Sequence, residues 1–266
     1  MASKPAKTIA KNTIFLYVRT FITMSVAIYT SRVLLQILGV ENFGIYNLVG
    51  GVVGLFASLR SLFSSSVQRF LNFEKGKGAD ERVRQIFCIS MGIHIILAVL
   101  FTLVVECIGV WFITHQFVLP EGRMGDALFV FHCSILTTAV SICTIPYDSA
   151  IIANERFGFF AWTSIIECAL KLIIVYLLLI LSDERLINYA LLLAAVTLFI
   201  RITCIIYCRR FDECKLEWCW NKGVAKELTY FAGWNFFGNT AFALVNEGTN
   251  MLLNVFGGVT ANAARG

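Results

Sequence analysis

Residues 12–38 set the terms for the rest of the chain. The run is apolar, free of Gly and Pro, and broken by two arginines, Arg19 and Arg32. As a helix of roughly 27 residues at ~1.5 Å rise it would be ~40 Å long, enough to cross a ~30 Å hydrocarbon core with some tilt. An arginine near the middle of such a helix costs on the order of 2.5–3.5 kcal/mol on insertion scales. Neither arginine is therefore expected to face lipid. Each should turn toward water, another helix or an anionic ligand.

Composition agrees with a membrane-spanning chain. Of 266 residues 58% are hydrophobic and 15% charged, where a soluble domain carries ~25% charged residues. The net charge of +5 then reports topology, not nucleic-acid binding. The nine cysteines are odd in number and sit mostly inside apolar segments, so no disulfide framework is expected. Cys204/Cys208 and Cys214/Cys219 lack accompanying histidines, which argues against a metal. No cofactor motif, phosphate-binding Gly-rich loop or nucleophile elbow is present.

Hydropathy predicts an all-α fold of about seven membrane helices. They run over Asn12–Leu38, Gly44–Leu71, Val83–Ile113, Met124–Ile145, Gly158–Leu181, Leu186–Cys208 and Leu228–Phe256. Loops rich in Lys and Arg alternate with nearly neutral ones. Lys4, Lys7 and Lys11, the 69–84 segment and the 209–226 segment therefore fall on one side, which predicts a cytoplasmic N-terminus. Pro146 should kink or end the fourth helix. Glu106 and Arg201 are expected to snorkel from helix ends, and the three histidines receive no role.

Polar residues within the helices are the candidate site. The second helix carries Arg60, with Ser61, Ser64 and Gln68 on one stripe. That stripe reads either as a small-residue packing face or as a wet cavity wall. The fifth helix carries Glu167 and Lys171 at i,i+4, either a self-neutralising pair or a lysine for an anion and a carboxylate for a coupling proton. The seventh holds Asn235, Asn239, Asn246, Asn250 and Asn254 within an arc of roughly 100°, bordered by Glu247. Amides in that number suit either interhelical hydrogen bonds or sugar hydroxyls. Finally, Ser31–Gly39 aligns without a gap on Thr249–Gly257, as expected of a duplicated transporter bundle.

Three segments resemble a known family. They are S-R-x-L-L-x-x-L-G-V-E-x-F-G from Ser31, F-L-N-x-E-x-G-x-G from Phe70, and I-P-Y-x-x-x-I-I-A-x-E from Ile145, with the closing N-A-A-R-G at Asn262. Together they resemble the polysaccharide-biosynthesis flippases, the O-antigen and capsule-repeat translocases of the multidrug/oligosaccharidyl-lipid/polysaccharide (MOP) exporter superfamily. The resemblance implies a MATE-like fold of two six-helix lobes in the bacterial cytoplasmic membrane. It implies a cargo of undecaprenyl-diphosphate-linked oligosaccharide, membrane lipids as surroundings, and polysaccharide polymerase machinery as a partner. With about seven helices, the chain is expected to hold the first lobe (residues 1–222) and the opening helix of a second (223–266). Arg19, Arg32, Arg60 and Lys171 are then candidates for the diphosphate. Ser61, Ser64, Gln68, Asn235, Asn239, Asn246 and Asn250 are candidates for the glycan, and Glu167 or Glu247 for a coupling ion. A multidrug exporter of the same superfamily and a membrane glycosyltransferase or polymerase are the alternatives. The first should prefer acidic and aromatic walls. The second should need a larger extramembrane domain than these short loops provide.

Overall fold

A computed structural model describes residues 4–57, 59–115, 119, 122–181, 184–215, 219–234 and 237. Side chains are described from Asn12 onward, apart from 48, 51, 52, 54–57 and 59–63. Seven α-helices run between Lys4 and Cys208: α1 Lys4–Ala57, α2 Leu59–Gly76, α3 Asp80–His115, α4 Met124–Cys143, α5 Ile145–Ala153, α6 Phe157–Leu177 and α7 Arg185–Cys208. A 3₁₀ turn follows at Asp212–Cys214, and residues 222–234 are helical. Five spans, Asn12–Asn47, Asp80–His115, Met124–Cys143, Phe157–Leu177 and Arg185–Cys208, are long and apolar enough to cross a membrane. Only 17–28% of their most apolar windows is buried inside the protein. Side chains such as Phe21, Ile28, Ile173 and Phe199 stay exposed, which is tolerable only in lipid. The chain is a multi-pass membrane protein.

Two boundaries differ from the sequence expectation. The turn expected over 39–43 shrinks to Gly39 alone, whose φ of 75° and ψ of 168° break α1 into two arms. A side chain would be strained at that φ, so this single glycine reverses the first crossing. The second arm accordingly begins at Val40, not Gly44. At the fourth helix, the break expected at Pro146 falls at Thr144, two residues before it. The span stops at Cys143, and Pro146 occupies the first turn of the separate helix α5, where its missing N–H costs nothing.

Apolar packing forms three connected clusters. Leu71, Phe87, Ile151 and Cys208 join α2, α3, α5 and α7. Val49, Val105, Phe131 and Leu186 join the second arm of α1 to α3, α4 and α7. Leu34, Ile37, Val175 and Tyr189 join the first arm of α1 to α6 and α7. Gly109 on α3 lies so close to α4 that a Cβ there would stand 2.1 Å from Phe131 Cζ.

Polar residues close both rims. At the basic rim, Lys75 Nζ lies 2.6 Å from Glu213 Oε1, and Asn154 donates to the same oxygen at 2.8 Å while accepting from Lys75. Burial pushes the Glu213 carboxyl up, but the hydrogen bonds from Lys75 and Asn154 outweigh it and hold the pKa below the ordinary value. The clasp ties α2, the α5–α6 turn and the 3₁₀ turn together. At the opposite rim, Arg123 meets Asp126 at 2.6 Å and Glu41 at 3.5 Å, and Arg185 donates to the Ile37 carbonyl at 3.0 Å.

Arg201 does not snorkel. Its Nη1 lies 2.8 Å from Asp148 Oδ2, and both side chains are 11% exposed. The pair pins α5 to α7. Removing one partner of a buried pair strands the other charge, at a cost of about 3–5 kcal/mol. Asp148→Ala should therefore lower resistance to denaturing detergent by about that amount, while Asp148→Ala with Arg201→Met should recover most of the loss. Unfolding titrations of the purified chain would measure both.

Candidate functional site

The first arm of α1 leans on α6. Its inward stripe, Arg19, Thr23, Ala27, Thr30 and Leu34, repeats at intervals of four, four, three and four residues. That spacing keeps one helical face toward one neighbour. Apart from Leu34, the residues are small or polar, so the helices do not close against each other along this length. A seam with a cavity of about 430 Å³ results. Its α6 wall is Ser164, Glu167, Cys168 and Lys171, and its far end is Phe43, Tyr46, Asn47 and Tyr189. Tyr46 and Tyr189 pack edge to face there, with ring centroids 5.0 Å apart.

The charges are strung along the seam. Arg19 Cζ sits 4.6 Å from the Phe160 ring centroid, in the first turn of α6. Its Nε is buried with no hydrogen-bond partner among the described residues. Phe160 precedes Lys171 by eleven residues, about 16 Å of helix rise. Lys171 donates to Glu167 at 2.7 Å, with side chains 42% and 24% exposed. The lining thus holds two cations and one anion, an excess of one positive charge. Thr30 Oγ1 is also buried with no hydrogen-bond partner among the described residues, whereas the Thr23 and Ser164 hydroxyls turn back onto their own helix carbonyls. A ligand carrying hydrogen-bond acceptors would satisfy Arg19.

The remaining candidates fall elsewhere. Arg32 is exposed and lies off the seam, on an outward stripe with Ser25, Tyr29 and Gln36. Tyr29 on that stripe shares a 2.5 Å hydrogen bond with Tyr176 of α6. Ser64 accepts through its carbonyl from Ser149 at 3.4 Å, and Gln68 is half-buried on α2. The side chains of Arg60 and Ser61 lie outside the described residues, as do Asn235, Asn239, Asn246, Asn250, Glu247 and the repeat at Thr249–Gly257.

Two polar pairs escaped the sequence reading. Asp148–Arg201 is one. The other joins Glu106 Oε1 to His132 Nδ1 at 2.8 Å, where separate helix ends or no role were expected. Neither pair shows a local spacing, because its partners come from different helices. Thr23 and Thr30 were missed as well, and the signal that points to them is helical spacing counted from Arg19. Among the described residues, no group of three or more His, Cys, Asp or Glu side chains could hold a metal ion.

Comparison places the fold. The chain superposes on a MOP superfamily transporter from Pyrococcus furiosus described as having a binding pocket of reverse polarity, with a TM-score of 0.75 and 12% identity. It superposes equally on an outward-facing multidrug resistance MATE family transporter of that superfamily, with a TM-score of 0.75 and 12% identity, and on a MATE point mutant at 0.78 and 11%. In each case the match covers 99% of this chain and 61% of the other, so the chain spans about three fifths of the length of these proteins. The fold is that of the MOP transporters. Residues 9–262 match the family model described as "Polysaccharide biosynthesis protein", and the chain belongs to that family. No curated protein matches it.

The seam makes a binding prediction. With inorganic pyrophosphate as probe, Arg19→Gln and Lys171→Gln should each weaken binding by about 3- to 10-fold, as expected of charge-assisted contacts that are partly exposed. Glu167→Gln should strengthen it by releasing Lys171. Calorimetric titration of the purified chain would test all three.

Proposed function

We propose that the full-length protein is a flippase that moves an undecaprenyl-diphosphate-linked oligosaccharide across the bacterial cytoplasmic membrane for surface-polysaccharide synthesis. The observation that carries this reading is the cationic seam between α1 and α6, with the Arg19 Nε buried and unpartnered. Guanidinium and ammonium groups held in a low-dielectric environment attract a diphosphate strongly. A diphosphate entering the seam would draw Lys171 away from Glu167 and leave that carboxylate ready to take a proton. Glu167 is thereby the proposed coupling group, with Glu247 as the second candidate.

In this account residues 1–222 form the first lobe and 223–266 open the second, with the N-terminus in the cytoplasm. Arg32, on the outward face of α1, would meet the diphosphate from the side on which the second lobe closes, together with Arg60. Ser61, Ser64, Gln68 and the asparagines Asn235, Asn239, Asn246 and Asn250 would serve the glycan. The protein performs no covalent chemistry on its cargo and needs no cofactor. Export of cationic drugs is the second reading, favoured by the multidrug MATE neighbour. The excess positive charge along the seam weighs against it.

The deciding experiment reconstitutes the full-length protein in vesicles and follows a labelled polyprenyl-diphosphate glycan to the opposite leaflet. Arg19→Ala should cut the rate by at least tenfold without lowering membrane insertion. Unchanged glycan movement in that variant, or efflux of an organic cation that Arg19→Ala accelerates, would overturn the proposal.

A further inference from the structure

The basic rim holds two kinds of cation. Lys75, Lys77, Arg82 and Lys215 are each engaged by a carboxylate, at 2.6–3.6 Å. Arg156, Arg209 and Arg210 are exposed, and none has a carboxylate within ion-pair distance among the described residues. They cluster where α6 begins and α7 ends. Such a cluster repels itself unless an anion joins it.

The cluster has a built floor. The Phe159 and Tyr207 rings stack at 3.5 Å with an interplanar angle of 13°. Arg210 Cζ lies 3.8 Å from the Tyr207 centroid. Two groups cannot share one face of a ring at those distances, so Tyr207 is sandwiched between Phe159 and the guanidinium. Stacking fixes the guanidinium plane and leaves its N–H edge free to donate. Arg156 precedes Phe159 by three residues, one helical turn, and Arg209 is Arg210's neighbour. Ile206 and Ile202 lie three and seven residues before Arg209, on its face of α7, and are 58% and 53% exposed. A guanidinium cluster at headgroup level thus stands above an apolar strip that runs down into the bilayer.

We infer that Arg156, Arg209 and Arg210 form a membrane-surface site for the phosphate of an anionic lipid, with its hydrocarbon chain along Ile206 and Ile202. Forked donors match phosphate oxygens in pairs, and the three arginines flank the ends of two apolar spans, Phe157–Leu177 and Arg185–Cys208. None of these side chains lines the α1–α6 seam, so this inference stands or falls apart from the transport reading. A lipid held here bridges α6 and α7 and presents its phosphate beside the rim where Phe160 of α6 meets Arg19 of α1. Two sources share this chemistry: the anionic phospholipid of the leaflet and a polyprenyl diphosphate.

Native mass spectrometry of the purified chain distinguishes them. The probes are phosphatidylglycerol, a short-chain polyprenyl diphosphate, and phosphatidylcholine as the zwitterionic reference. The wild type should retain at least one of the two anionic probes about tenfold better than phosphatidylcholine. The triple variant Arg156→Gln, Arg209→Gln, Arg210→Gln should lose that preference. Lys222→Gln with Lys226→Gln, which removes two other exposed cations that lie beyond the end of α7 in the chain, should keep it within about twofold. Tyr207→Phe should keep it and Tyr207→Leu should weaken it, because only the former preserves the ring sandwich. Whichever probe is lost in the triple variant is the ligand. Equal retention of all three probes by the wild type, or equal loss on removing the Lys222/Lys226 charges, would overturn the site.

Discussion

A charge inside hydrocarbon must be paired, wetted or given a ligand, and this protein is arranged around that constraint. Three arrangements are visible. Asp148 and Arg201 neutralise each other within the packed core. Glu106 and His132 meet on a half-exposed face of α3 and α4. The α1–α6 seam keeps a surplus, because Arg19 has an aromatic ring and, among the described residues, no carboxylate beside it, while Lys171 is already engaged by Glu167. A buried pair contributes little net stability but is costly to break. A surplus contributes nothing to folding unless something anionic completes it. That asymmetry makes the seam, and not the other two pairs, the place where a cargo is to be sought.

The helices that enclose the seam are placed by ordinary packing. Gly39 turns the chain back in a single residue, so the first arm of α1 runs beside α6 while the second arm joins the core with α3 and α4. Above the seam the arm is held by Leu34, Ile37 and Val175. Along the seam its stripe is too small to fill the gap. Tightness at one end and under-filling below it produce a cavity without any unusual backbone.

Much of this was legible in the sequence, and the limits have physical causes. Membrane crossings announce themselves through length and hydropathy, properties of a single helix. Glu167–Lys171 was legible because i,i+4 neighbours meet whatever the tertiary fold. The inward turn of Arg19 followed from its cost in lipid. Arg32 departs from that expectation and lies on an outward stripe, since a helix face is assigned by its neighbours and not by its residues. Pro146 showed that a break would occur but not that a new helix would start on it. Asp148–Arg201 and Glu106–His132 join residues 53 and 26 positions apart, and no local spacing foretells such meetings. The membership of residues 9–262 in the polysaccharide biosynthesis protein family accords with the motifs at Ser31, Phe70 and Ile145.

The central claim is that water and anions enter the membrane between α1 and α6. Cys168 lines that seam, Cys107 is exposed on the outer surface of α3, and Cys204 and Cys208 are buried in the core. Treating the protein in lipid vesicles with a small, membrane-impermeant anionic thiol reagent, and quantifying each cysteine by mass spectrometry, tests the claim without altering a residue. The account predicts that Cys168 is modified, that pyrophosphate protects it, and that Cys107, Cys204 and Cys208 stay unmodified. A Cys168 as inert as Cys204 would show the seam to be dry and would contradict the account.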